Sequence, residues 1–314
     1  MPLHTDLEAF LELVSVNGSA SMWEMSPSDA RDAYDRSTEM LDAPGARVPV
    51  EEPHYVCRDG HAAATRLYRP GVSCDPRPIL LFFHGGGYVV GGLDSHDSLC
   101  RDLAYYSDCA VLSVDYRLAP EHRFPTAFDD ATDALDWLHH HGAEYQLDTS
   151  RIAIGGDSAG GALATALCIQ AKAHRRPQPL LQLLLYPCTS ANQDFESHRR
   201  FATGYLLEQK TLQWMFDHYL RTPSDPTDWR FAPLGAEDLS GLAPAHIALA
   251  EFDPLVDEGL AYAARLRAAG VLTTVKVHEG MIHDFARLGN VMDDVRTFRQ
   301  ELGRVLNDAF KAIP

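Results

Sequence analysis

Paired cysteines, positive charge and long apolar runs are what this chain is short of. Its six cysteines (Cys57, Cys74, Cys100, Cys109, Cys168 and Cys188) are scattered, with no C-x-x-C pair, so neither a disulfide framework nor a zinc ribbon is implied. Lys plus Arg number 27 against 44 Asp plus Glu, a formal net charge of −17. Such a chain lacks the electrostatic footprint of a nucleic-acid binder, and an anionic membrane would repel it. The densest basic stretch is only His174, Arg175 and Arg176. The longest weakly apolar run, Ala159 to Ile169, falls far short of a bilayer span. Met1 to Ala20 carries no basic opening, and Asp6, Glu8 and Glu12 interrupt its apolar residues, unlike a secretory signal. There is no internal repeat and no low-complexity tract. The expectation is a soluble, reduced, cytoplasmic protein with no nucleic-acid partner and no stable membrane association; homo-oligomerisation is left open.

What is present is ordinary globular composition, 46% apolar and 23% charged over 314 residues, enough for a sizeable core. Leu3, Leu7, Phe10, Leu11 and Val14 fall on one helical face, and a second helical run spans Ser28 to Leu41, closed by Pro44-Gly45. Strand-like runs His54–Arg58 and Ala64–Arg69 flank Asp59-Gly60, a hairpin signal. From Ile79 onward, short and continuously apolar strands alternate with helices. The strands are Ile79–His84, Ala110–Asp115, Arg151–Gly155, Leu180–Tyr186, Ala245–Ala250 and Thr273–His278. That pattern predicts an α/β architecture, an eight-stranded, mostly parallel sheet covered by helices on both faces, with the first two strands antiparallel. Residues 188–243 break the alternation with one helix-like segment, Glu208 to Leu220, among Pro- and Asp-rich turns. An insertion of that length is read as a lid. The expected division is lid helices at 1–45, a core at 46–187 and 244–314, and a lid insertion at 188–243.

Gly156-Asp157-Ser158-Ala159-Gly160 follows a strand and opens a helix, the context in which G-x-S-x-G forms a nucleophile elbow. So sharp a turn brings the positions two before and two after the serine together, where a Cβ would clash. The serine is left at a helix N-terminus, where negative charge is favoured. The bland alternative is a glycine-rich structural turn. His84-Gly85-Gly86-Gly87 directly follows another apolar strand, and unencumbered N–H groups there suit an oxyanion hole. A phosphate loop would want a following lysine, and Tyr88-Val89-Val90 supplies none. A base and its orienting acid are then expected downstream. Asp253 and His283 each lie just past a strand, so both surface at the carboxyl edge of the sheet with Ser158. Asp257 competes with Asp253 but is better read as supporting the helix that follows.

With these residues in place, the chain resembles the hormone-sensitive-lipase-like esterases of the α/β-hydrolase fold. The resemblance runs from Ile79 to about Gly289. It rests on His84–Gly87, Asp115-Tyr116-Arg117-Leu118-Ala119-Pro120-Glu121, Gly156–Gly160, Asp253-Pro254-Leu255-Val256-Asp257 and His283-Asp284-Phe285. It implies Ser158 as nucleophile, His283 as general base and then acid, and Asp253 as the group that orients the imidazole. It further implies Gly85, Gly86 and Ala159 as oxyanion donors, His84 as a brace for its loop, and no cofactor or metal. One departure is Asp284, where the family usually has glycine; this carboxylate could raise the basicity of His283 or point to solvent.

Other features have bland readings. His139-His140-His141 could be a metal tract, but it ends a helix, whose negative end suits imidazole. Arg117, Glu121 and Asp130 read as bracing. Met22, Trp23, Met25, Phe201, Leu206, Leu207 and Trp214 lie in the lid segments, and some should line an acyl pocket. Tyr88, Phe201, Leu206, Leu207 and Trp214 are the expected substrate contacts. The leading function is hydrolysis of short-chain carboxylic esters, with a small neutral ester as partner. An amidase or lactonase on the same site, or a non-catalytic ligand-binding protein of the same fold, are the alternatives.

Overall fold

Alternation inside the short apolar strands decides the architecture. In the strand Ile79–Phe83, Ile79, Leu81 and Phe83 belong to one apolar layer, and Leu80 and Phe82 to a second on the opposite face. A strand that is apolar at every position is therefore covered on both sides. The computed structural model describes residues 2–18, 20–71 and 75–312; Cys74 lies outside them.

The strands are β1 (Val50–Glu51), β2 (His54–Val56), β3 (Ala62–Tyr68), β4 (Arg77–Phe83), β5 (Ala110–Val114), β6 (Leu147–Asp157), β7 (Gln182–Leu185), β8 (Ala245–Phe252) and β9 (Thr273–Ile282). They form one sheet in the order β1-β3-β5-β4-β6-β7-β8-β9, with β2 paired to β3. From β5 through β4 to β9 every pairing is parallel, while β3 runs antiparallel to β1, β2 and β5. Among the described residues the sheet thus has nine strands rather than the expected eight. The extra one, β1, is only two residues long, with Val50 opposite Tyr68 and Glu51 opposite Leu67. Two residues leave no periodic signature; only the neighbouring strand makes them a strand.

Helices α3 (Asp97–Ser107) and α9 (Asp294–Lys311) cover one face. Helices α4 (Thr126–His141), α5 (Ala159–Ala173) and α8 (Val256–Ala268) cover the other. In α9, Val295, Phe298, Leu302, Leu306 and Phe310 recur every three or four residues and are buried, the stripe an amphipathic surface helix needs. Within that stripe Arg299 is buried too, paired to Asp42 at 2.7 Å and Asp102 at 3.0 Å.

Above the carboxyl edge lie α1 (Thr5–Asn17), α2 (Pro27–Leu41), α6 (Glu196–Arg200) and α7 (Gln209–Tyr219). Lys210 on α7 places its ammonium 4.3 Å from the Trp23 ring, joining the insertion to the N-terminal segment. The expected apolar face of α1 is less buried than its pattern implies. Leu7 alone among its residues is buried; Leu11 and Val14 line an open cavity, and Phe10 and Leu11 are only half-buried against the core. Among the described residues, no helix is long and apolar enough to cross a membrane.

Candidate active site

Two crowded glycines bend the chain at the end of β6. A Cβ on Gly156 would lie 2.5 Å from the Gly160 carbonyl carbon, and one on Gly160 would press on the Phe83 carbonyl. Ser158 sits at the apex with φ 50° and ψ −118°. That conformation is strained for a residue with a side chain and is held because the surrounding strand and helix fix it.

β8 delivers Asp253 and β9 delivers His283 to the same edge. The Ser158 hydroxyl lies 3.0 Å from His283 Nε2. On the far side of the ring, Nδ1 lies 2.7 Å from Asp253 Oδ2. Asp253 is fully buried, and its other oxygen accepts the Leu255 N–H at 2.8 Å. Burial works against a charged His283, but Asp253, helped by Asp284 and Asp157, outweighs it and raises the imidazole above its ordinary value. A neutral imidazole with Nδ1–H fixed on a carboxylate leaves Nε2 free to take the serine proton. Asp257 serves elsewhere: its Oδ2 accepts the Ser197 N–H at 2.8 Å, tying the insertion to the start of α8.

The glycine loop differs from its expected assignment in one residue. The Gly85 N–H donates to Asp157 Oδ1 at 2.9 Å and so is spent inside the protein. Gly86 (φ 104°) and Gly87 (φ 59°) turn the chain through backbone space that favours glycine. Among the described residues, neither of their N–H groups has a hydrogen-bond partner, and both residues line the cavity beside Ser158. Ala159 opens α5, so its N–H has no intrahelical acceptor. The unpartnered N–H groups at this cavity, among the described residues, are therefore those of Gly86, Gly87 and Ala159. Gly85 is excluded because its donor is already used.

The loop is braced from behind. Burial of Asp157 alone would raise its carboxyl, but His96, 3.2 Å away, outweighs that and holds it below the usual carboxylate range. His84 is stacked on Tyr116 at 4.2 Å, and burial pushes its imidazole down to about 3, so it stays neutral. Arg117 clasps Asp130 through several hydrogen bonds, and Arg31 of α2 holds Glu121. At the end of α4, His140 Nδ1 meets the Asp136 carbonyl and His141 meets Glu144.

A cavity of about 650 Å³ opens over Ser158 and His283. Tyr88, Leu206 and Leu207 line it, together with Met22 and Met25. Phe201 and Trp214 do not. The Phe201 ring packs on Phe252 and Tyr205, and Trp214 lies against His218 at 4.5 Å. In their place stand Thr211, Leu212, Met215 and Phe216 of α7 and Tyr34 of α2. The signal for the α7 residues was its helical face: Thr211, Leu212, Met215, Phe216 and Tyr219 share one side, and Trp214 is off it. Asp284 also faces the cavity, paired to Arg287 at 2.8 Å instead of reaching into solvent.

Comparison with known proteins agrees with this architecture. A family model described as the α/β hydrolase fold matches residues 80–287. The ethyl acetate hydrolase of Pseudomonas putida is 43% identical over 304 residues, covering 94% of this chain and 95% of its own. An arylesterase of Saccharolobus solfataricus is 32% identical over 317 residues, covering 99% of this chain and 100% of its own. An ester hydrolase from the Lake Arreo metagenome, solved in complex with a bipyridine phosphonate derivative, superposes with a TM-score of 0.95 at 35% identity. That match covers 99% of this chain and 100% of that one. The chain belongs to the α/β-hydrolase fold family, in its hormone-sensitive-lipase-like group.

Proposed function

We propose that this chain is a carboxylesterase that hydrolyses small, short-chain carboxylic esters through an acyl-enzyme on Ser158. The observation that carries the reading is the unbroken series from buried Asp253 through His283 to the Ser158 hydroxyl, 2.7 and 3.0 Å, ending in an apolar cavity. Ser158 Oγ attacks the ester carbonyl carbon while His283 Nε2 takes its proton. The oxyanion is received by the N–H groups of Gly86, Gly87 and Ala159, each typically contributing about 3 kcal/mol to lowering the barrier. The imidazolium, held by Asp253, then gives the proton to the leaving alkoxy oxygen. Water activated by the same imidazole hydrolyses the acyl-enzyme. Nucleophile, base and donors all come from the chain itself, so the reaction needs no cofactor.

A relative named for ethyl acetate supports small esters as substrates. Segments 1–45 and 188–243 supply much of the cavity wall, joined by Gly86, Gly87, Tyr88, Asp284 and Arg287 from 46–187 and 244–314, the segments that carry Ser158, Asp253 and His283. This supports a lid over a separate catalytic core. The −17 charge disfavours docking on anionic lipid. Five described cysteines, all buried and unpaired, suit a reducing, cytoplasmic setting.

The test is covalent trapping. An organophosphate should add one adduct mass to the parent chain and none to Ser158→Ala, which should fold but not turn over ester. Turnover or labelling retained by Ser158→Ala would overturn the assignment. Matched ester and amide substrates separate an esterase from an amidase.

A further inference from the structure

We propose that the leaving-alcohol side of this site selects esters whose alcohol carries a hydroxyl a few bonds from the ester oxygen, and that Asp284 is the residue that receives it. This rests on Ser158 and His283 acting as proposed above. The direction follows from the chemistry. The carbonyl oxygen goes to Gly86, Gly87 and Ala159, and the alkoxy oxygen must come within reach of His283 Nε2, which protonates it. The alcohol therefore lies on the His283 side of the cavity. Against the glycine loop, Met215 packs directly on Gly87, with Leu212 and Phe216 beside it on the buried face of α7. That flank is apolar and suits the acyl chain.

The wall on the His283 side is different. It is built from Asp284, Tyr34, Thr38 and Arg287, all of which line the cavity. Asp284 stands at φ 68°, ψ 9°, where glycine is at ease and aspartate is one of the few other residues tolerated. Its Oδ2 accepts from Arg287 Nη1 at 2.8 Å and from the Tyr34 hydroxyl at 3.4 Å. Its Oδ1 has no partner among the described residues, and the side chain keeps 19% of its exposure.

Arg287, by contrast, has its charge committed. Nε donates to the Ser95 carbonyl at 2.9 Å, Nη2 to Thr38 Oγ1 at 2.6 Å, and Nη1 is shared between Asp284 and Tyr34. The wall thus offers an incoming alcohol an acceptor oxygen, while its cation is already compensated. A hydroxyl donor satisfies Oδ1. An alkyl end of the same size strips water from it and returns nothing, the asymmetry that makes an unmade buried hydrogen bond costly.

The experiment compares 2-hydroxyethyl acetate with propyl acetate, equal in non-hydrogen atoms and differing by hydroxyl against methyl. It is run on the alkaline plateau of the pH profile, where the rate no longer rises with pH because the imidazole base is neutral. The wild type should favour the hydroxyethyl ester in kcat/KM by about tenfold or more, the range expected of one hydrogen bond to a charged acceptor. Asp284→Gly, compatible with the backbone here, should abolish or invert that preference, and Asp284→Asn should leave an intermediate ratio. Both esters use the same triad, so the ratio is blind to general damage around His283. If Asp284→Gly leaves Arg287 too poorly compensated to fold, the wild-type ratio and Asp284→Asn still decide. A wild-type preference for propyl acetate, or a ratio unchanged in both variants, overturns the proposal. Wild type that cleaves neither ester overturns the parent reading, and this one with it.

Discussion

Asp157 and Gly85 are joined across two loops: the carboxylate beside the nucleophile accepts the first glycine's N–H at 2.9 Å. One aspartate therefore couples the turn that presents Ser158 to the loop that presents Gly86 and Gly87. Asp157→Ala should let that loop drift, and kcat should fall by about 100-fold, comparable to losing one oxyanion donor. KM should change little, because the cavity walls are untouched. Steady-state kinetics on a soluble ester is the check, and a change confined to KM would argue against the coupling.

The two aspartates in Asp253–Asp257 should separate cleanly. Asp253→Asn leaves His283 without its acceptor and should lower kcat by about 10⁴-fold. Asp257→Asn at most weakens one hydrogen bond, the one accepted from the Ser197 N–H, and should cost less than about tenfold in kcat with a modest loss of stability. The reverse ranking would move the orienting role to Asp257.

The pH profile should report the environment of His283. Its raised pKa means that the imidazole stays protonated, and useless as a base, to a higher pH than usual. The acid limb of kcat/KM should therefore have its midpoint above about 6.5, the ordinary imidazole value. Asp284 is one of the carboxylates that favour the charged ring. Removing it in Asp284→Gly should make protonation harder and move the limb to lower pH. Profiles between pH 5 and 9 test this; a limb that moves to higher pH would contradict the electrostatics.

Acyl length should be read by α7. Met215 covers Gly87 at the apolar end of the cavity, so rates across straight-chain acyl esters should fall once the chain reaches this side chain. Met215→Ala should move the optimum to longer chains by one or two carbons, each newly buried CH₂ contributing about 0.8 kcal/mol. An unchanged optimum would place the acyl chain elsewhere.

Stability should depend on a residue far from the chemistry. Arg299 is buried between Asp42 and Asp102 and also donates to the Ala286 carbonyl. Arg299→Met keeps much of the volume but strands two carboxylates, which should cost about 3–5 kcal/mol in urea unfolding. Loss of less than about 1 kcal/mol would mean that solvent reaches those carboxylates.

Local sequence determined the elements and which edge of the sheet carries chemistry. Short apolar runs of strand length, bounded by turn residues, fit strands covered on both faces, and Ser158, Asp253 and His283 each stand just past the end of a strand. Those features are written within a dozen residues, so the sequence carries them directly. Tertiary structure decided what depends on direction and on distant partners. Which glycine N–H stays free follows from the backbone dihedrals of Gly86 and Gly87 and from Asp157, 72 positions from Gly85. Whether Met215 or Trp214 faces the cavity depends on how α7 is rotated against its neighbours, and large aromatic side chains proved a poorer guide than the helical face. Asp284 reads as a carboxylate loose beside a histidine until α2 brings Tyr34 and Thr38 to Arg287, contacts separated by about 250 residues of chain. A side chain's type is local, but its field and its free lone pairs are set by whatever the fold packs against it.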